Sequence, residues 1–341
     1  MTSDGTTVVT IPEPDPLPAG VTAREATRAD VPALLALLQA EDLAGTGETS
    51  MVASEVEHWF DSARSRERGF TRVFERDGVG VGVARVYRHL DDKYWVQVAV
   101  DRTLPDETVD ALWRCGQTWT EATALAIADS FDVARPRLDA WVNEGDALGR
   151  RHREDAGFEQ VRSFIEMQID LDGYQAPEPN PLVTVRPLRI DFPDSPDLRL
   201  MHELITESFR DHFDFHERTF EEWAKGRADD PLGDATHWYV AEADGEVVGA
   251  LIGHNAYTES DNAGYIANLG VLRAGRGKGV AKALLHASFA RYAAEGRDAV
   301  KLHVDADSPT GATHLYEGVG MYRRLVGFDF FKWPRGKGEE D

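Results

Sequence analysis

The sequence predicts a mixed α/β fold built twice: two tandem domains, each a mostly antiparallel central sheet flanked by helices. Three observations carry this prediction. The 341 residues exceed one typical domain and suit two. The segment 174–181 (YQAPEPNP) has three prolines in eight residues and little apolar to bury, so it reads as an extended linker. The stretches on either side of it follow one pattern.

Each half opens on a short strand, 21–25 and 183–187, and continues into a helix, 30–39 and 198–209, the first with Asp30 as N-cap. An aromatic-bearing helical piece follows, 52–63 with Trp59 and Phe60, and 219–225 with Trp223. Next comes a hairpin: 72–75 and 79–87 around Asp77 and Gly78, then 238–242 and 247–254 around Asp244 and Gly245. Asp-Gly between alternating apolar runs is a strong hairpin signal. A fourth strand (95–100; 265–271), a long helix (108–126; 280–294) and a fifth strand (137–142; 299–304) come after it. A last helix and C-terminal strands end near Asp172 and Trp333. The expected domains are therefore 20–173 and 183–334, joined by 174–182, with a disordered lead at 1–19 and a polar tail at 335–341.

Composition narrows the class. Hydrophobic residues make up 42% of the chain, enough for real cores, and no apolar run approaches the ~20 residues of a membrane span. The N-terminus lacks an apolar signal core, so a cytoplasmic protein is expected. A single cysteine, Cys115, rules out an internal disulfide or a cysteine-based metal cluster. No His, Asp or Glu spacing reads as a metal site. The net charge of −23 argues against nucleic acid and would suit a cationic amine by long-range steering.

One stretch carries chemistry. Residues 269–281 (LGVLRAGRGKGVA) run from an apolar strand through a loop with Gly275, Gly277 and Gly279 into a helix-compatible run. Such a loop turns backbone N–H groups onto a phosphate-bearing ligand, and the helix N-terminus adds partial positive charge. A P-loop would need a hydroxyl after the lysine, but Lys278 is followed by Gly279. A dinucleotide fingerprint would need G-x-G-x-x-G after the first strand, and this loop breaks that spacing late in its domain.

Arg276, Gly279 and Ala281 do fit (Q/R)-x-x-G-x-(G/A), and the loop resembles that of the GNAT superfamily of N-acetyltransferases. A second stretch, 305–322, resembles the segment after that family's fifth strand, with Tyr316 at the position of its tyrosine. The resemblance implies acetyl-CoA as co-substrate, with no metal. Its pyrophosphate would lie on the amides of Arg276, Gly277, Lys278, Gly279, Val280 and Ala281. Tyr316 would be general acid to the departing thiolate, since a phenol with a pKa near ~10 stays protonated at neutral pH. Backbone groups at Leu269 and Val271 would bind the acetyl carbonyl and stabilise the oxyanion. Two positions depart from the family pattern: Ser308 replaces the usual asparagine at the cofactor, and Met321 follows Gly320 in place of phenylalanine.

The first half lacks these features. Residues 98–107 (VAVDRTLPDE) have no glycine, three acids and a proline, and His152 stands about where the tyrosine would be. A degenerate copy that binds no acetyl-CoA is expected, as in tandem members of the family. An amine must be neutral to attack, and Glu207, Asp211 and His212, between the first two helical pieces of the second half, are the candidates to bind or deprotonate it. His303 and Asp305 share one face of the fifth strand, with His303 as readily a structural side chain. The expected acceptor is the amine of a small molecule, taken up by a monomer or homodimer without nucleic acid or membrane. A protein or peptide acetyltransferase and a non-catalytic acyl-CoA sensor are the alternatives.

Overall fold

The computed structural model describes residues 11–13, 16–61, 69–307 and 311–338. In chain order the elements are β1 (Val21–Glu25), α1 (Val31–Thr46), α2 (Ala53–Asp61), β2 (Gly69–Arg76), β3 (Val79–Arg88), β4 (Lys93–Val100), α3 (Asp106–Ser130), β5 (Arg137–Asn143), α4 (Ala147–Asp155) and β6 (Glu159–Asp170). The second series is β7 (Val183–Pro187), α5 (Pro196–Phe209), α6 (Phe220–Ala228), β8 (Gly233–Ala243), β9 (Glu246–His254), α7 (Thr258–Asp261), β10 (Ala263–Val271), α8 (Val280–Ala294), β11 (Ala299–Asp305), α9 (Ala312–Glu317) and β12 (Tyr322–Lys332). The expected helix at 52–63 is seen as α2, and its last two positions lie outside the described residues.

Local chemistry sets many of these boundaries. Asp77 and Gly78, and again Asp244 and Gly245, all have positive φ, the backbone a two-residue hairpin of right-twisted strands requires. Helix α1 carries a proline in its first turn, buries Val31, Leu34, Leu37 and Leu38 at helical spacing, and stops at Gly47 in the left-handed region. The Ser195 hydroxyl caps α5 by accepting from the Leu198 amide at 3.3 Å, and Thr219 with Glu222 forms a capping box on α6.

The chain divides into two compact units, Met1–Phe164 with Leu325–Asp341, and Ile165–Arg324. The first has strand order β1-β2-β3-β4-β5-β12; the second has β6-β11-β10-β9-β8-β7. Each series thus gives its last strand to the sheet built from the other. Strand β12 pairs antiparallel with β5 from Gly327 opposite Asn143 to Lys332 opposite Leu138, and brings Phe328 and Phe330 into the first core beside Tyr94, Leu112 and Trp119. The second unit packs α5 and α6 over Trp238, Ala250 and Ile252. Helix α8 buries Leu284, Leu285, Phe289 and Tyr292.

The proline-rich segment lies inside the second unit. Its Tyr174 hydroxyl bonds His286 Nδ1 at 2.9 Å, and Asn180 Nδ2 donates to the Lys278 carbonyl at 2.9 Å.

Both sheets contain a parallel pair with the same short reach. β4 pairs with β5 from Lys93 opposite Arg137 to Trp95 opposite Asp139. β10 pairs with β11 from Ala263 opposite Ala299 to Tyr265 opposite Lys301. Past these three pairs neither couple pairs further among the described residues, and we call each such opening a fork.

Candidate functional site

The fork of the second unit carries the predicted strand positions, and the glycine loop follows them in the chain. Strand β10 stays antiparallel to β9 through Val271, with a register shift between Ile266 and Asn268, while its other edge has no strand partner after Tyr265 among the described residues. Leu269 and Val271 lie on this one-sided stretch, opposite Leu251 and Gly249 of β9. Their edge of β10 leaves backbone groups available to a carbonyl-bearing ligand.

The glycine loop follows at once. Gly277 and Gly279 have φ of 76° and 80°, and Gly279 is the residue from which α8 starts. The positive φ demands glycine there, and a Cβ built on Gly279 would lie 2.7 Å from Asn180 Nδ2 and displace that side chain. Consecutive amides from Gly277 to Lys282 meet no acceptor among the described residues. That run includes the predicted Lys278, Val280 and Ala281, and it joins the free amides of a helix first turn to those of the loop. Arg276 is exposed, with Nε 3.5 Å from the Val271 carbonyl. The Lys278 ammonium is already paired with Asp244 at 2.6 Å, so its charge serves the hairpin turn as well as the loop.

Tyr316 on α9 is 9% exposed, and its hydroxyl makes no hydrogen bond among the described residues. Burial pushes its pKa up to about 12, which keeps the proton on the oxygen at neutral pH. Ser308 lies outside the described residues.

The three base candidates are not gathered at one point. Glu207 is exposed and pairs with Arg210 at 3.1 Å, and Asp211 is exposed and pairs with Arg273 at 2.9 Å. His212 is also exposed, packs at a tilt against Phe209 with ring centroids 4.5 Å apart, and feels the charges of Asp305 and Arg276; partial burial lowers its pKa.

Other polar residues stand closer to the fork. The Tyr265 hydroxyl is 3.2 Å from His303 Nδ1, and Glu166 Oε2 is 3.8 Å from His303 Nε2. Glu166 is buried and also pairs with Arg324 at 2.7 Å and Lys301 at 3.8 Å. Arg227 donates to Asn268 Oδ1 at 2.9 Å, which ties that side chain to α6. Sequence spacing singled out His303 but gave no sign of Tyr265 or Glu166. Tyr265 reads as an ordinary strand aromatic, and Glu166 lies over a hundred residues from its partners.

The first unit's fork is bridged by its own side chains. Arg102, just past β4, grips both oxygens of Asp146, just past β5, at 2.8 and 2.7 Å, and reaches Glu41 at 3.5 Å. His152 stacks on Trp113 at 4.8 Å, with Nε2 3.1 Å from Asp110. A cleft of about 500 Å³ beside them is crossed by the ion pairs Asp110–Arg151 and Glu121–Lys332. Among the described residues no group of three or more His, Cys, Asp or Glu is placed to hold a metal, and no helix is long and apolar enough to cross a membrane.

Residues 198–321 match the profile of the acetyltransferase (GNAT) family. The chain is 30% identical over 231 residues to a mycothiol acetyltransferase of Frankia casuarinae, covering 62% of this chain and 64% of that protein. It is 29% identical over 203 residues to a mycothiol acetyltransferase of Renibacterium salmoninarum, covering 54% and 55%. The match therefore spans less than two thirds of either relative's length. A GCN5-related N-acetyltransferase of Sphaerobacter thermophilus has TM-score 0.77 at 26% identity, covering 95% of this chain and 98% of its own. A tandem GNAT protein from the clavulanic acid biosynthesis pathway has TM-score 0.65 at 14% identity, covering 94% and 100%, a likeness of fold alone.

Proposed function

We propose, from the match of residues 198–321 to the acetyltransferase (GNAT) family, that the protein moves the acetyl group of acetyl-CoA to the primary amine of a small molecule. The observation that carries this reading is the run of unpartnered amides from Gly277 to Lys282 at the open end of the β10/β11 fork. Charge-assisted hydrogen bonds to such amides contribute roughly 1.5–3 kcal/mol each, so several hold a pyrophosphate without a metal. The free edge of β10 around Leu269 and Val271 receives the acetyl carbonyl, and its N–H groups meet the charge that develops on that oxygen. Tyr316 keeps its proton until the thiolate leaves, then supplies it.

The bridge from Arg102 to Asp146 and Glu41 supports a single acetyl-CoA per chain, with the first unit as scaffold. Isothermal calorimetry should count one acetyl-CoA per chain, and Gly279→Glu should abolish that binding. Thiol release with a panel of small amines tests turnover. Tyr316→Phe should lower kcat by ~10²–10⁴-fold with little change in acetyl-CoA affinity. Unchanged turnover removes Tyr316 as the acid, and two bound acetyl-CoA would overturn the reading of the first unit. Turnover confined to basic peptides would replace the small-molecule acceptor by a protein one, and binding without turnover on any amine would leave an acyl-CoA sensor.

A further inference from the structure

We propose that the fork holds its own proton acceptor for the incoming amine, a relay in which Tyr265 takes a proton from the ammonium group and passes its phenolic proton to His303, with Glu166 balancing the charge. This rests on the acetyltransferase reading above and names the base that reading needs.

Position carries the argument first. Tyr265 is the last β10 residue paired with β11, so it stands at the apex of the fork. His303 lies two residues beyond the last paired position of β11, on that arm of the fork, and its side chain remains 28% exposed. Their hydrogen bond of 3.2 Å thus crosses the point from which the cleft opens.

Chemistry gives the chain a direction. Glu166, 3.8 Å from Nε2, favours a proton on that nitrogen, which leaves Nδ1 to accept from the Tyr265 hydroxyl. Burial lowers the pKa of His303, so the ring is neutral and ready to accept at physiological pH. Its imidazolium would face Glu166, which also pairs with Arg324 at 2.7 Å. Tyr257 packs against both rings, at 5.4 Å from Tyr265 and 6.4 Å from His303, and limits their rotation.

The proton count closes. The ammonium loses one proton through Tyr265 to His303 and then to water. As the N–C bond forms and the C–S bond breaks, the nitrogen sheds a second, which replaces the one Tyr316 gives to the thiolate. Tyr265 touches the amine; His303 and Glu166 act through it.

The test compares two kinds of acceptor on the full chain, with thiol release from acetyl-CoA as the readout. One is the fastest amine of the small-amine panel, protonated at neutral pH; the other is hydroxylamine, which is neutral there. Tyr265→Phe and His303→Gln should each lower kcat/KM for the protonated amine by ~10²-fold, and for hydroxylamine by less than about threefold. Acetyl-CoA affinity by calorimetry should stay within about twofold of the native value, an independent check that the fork is intact. The acid limb of the pH profile should also shift in His303→Gln. The groups around that ring are Tyr265, Tyr257, Glu166 and Lys301, so the limb belongs to the cluster. Equal losses on both acceptors with unchanged cofactor affinity, or no loss on either, would overturn the relay. Turnover with hydroxylamine alone would also overturn it, because a relay serves a protonated amine. No thiol release with any acceptor while acetyl-CoA binds would instead remove the transferase reading, and the relay with it.

Discussion

Glu41 shows how one buried charge sets a measurable property of the first unit. Burial pushes its pKa up to about 7, against 4.5 for the free side chain, and Arg102 only partly offsets this. A carboxyl whose folded pKa is raised costs nothing at low pH, where both states are protonated. Its cost grows as pH rises through the unfolded value and levels off above the folded one. The first unit should therefore lose stability between about pH 4.5 and about pH 7, by on the order of 3 kcal/mol. In Glu41→Gln the urea-unfolding profile should lose this part of its slope, leaving what Asp42 and His152 contribute. An undiminished slope would assign the effect to another group. Tyr316 is raised by the same desolvation, yet both its states are protonated through neutral pH, so it adds no slope there.

At the scale of elements, the two Asp-Gly hairpins, the long helices and the glycine loop were legible because each follows from local chemistry. A left-handed turn, a helical apolar stripe and a loop of free amides all leave marks a few residues apart. The fork was legible only through resemblance, since nothing in β10 or β11 alone states where pairing stops. The fit of α8 was not legible at all. A Cβ built on Gly264 would lie 2.6 Å from the Tyr292 ring, so helix and strand meet with no room between them. The Tyr292 hydroxyl fixes that contact, accepting from the His254 amide at 3.1 Å and lying 3.2 Å from the His254 carbonyl. Gly264→Val should cost roughly 1–3 kcal/mol in thermal or urea unfolding, by overpacking this contact. Tyr265 and Glu166 escaped a sequence reading for a related reason, and His303 was marked only as sharing a strand face with Asp305. Tyr265, His303 and Glu166 sit on three strands, and only the sheet brings them together.

At the scale of the whole molecule, the repeat was readable but the exchange of last strands was not. Alternating apolar residues mark β6 and β12 as strands without marking which sheet receives them. The exchange places Phe328 and Phe330 in the first core, so a chain ending at Arg324 should lose native protection there. Hydrogen exchange should show faster amides in β5 of that truncation than in α8. Equal protection in both would mean that β12 contributes little to the first sheet.

The same exchange bears on the order of events at the ribosome. Every strand of the second sheet precedes residue 306, whereas the first sheet lacks β12 until residues 322–332 have been made. The half synthesised first is thus the last to be completed, and a nascent chain stalled short of its C-terminus carries β5 with one edge open.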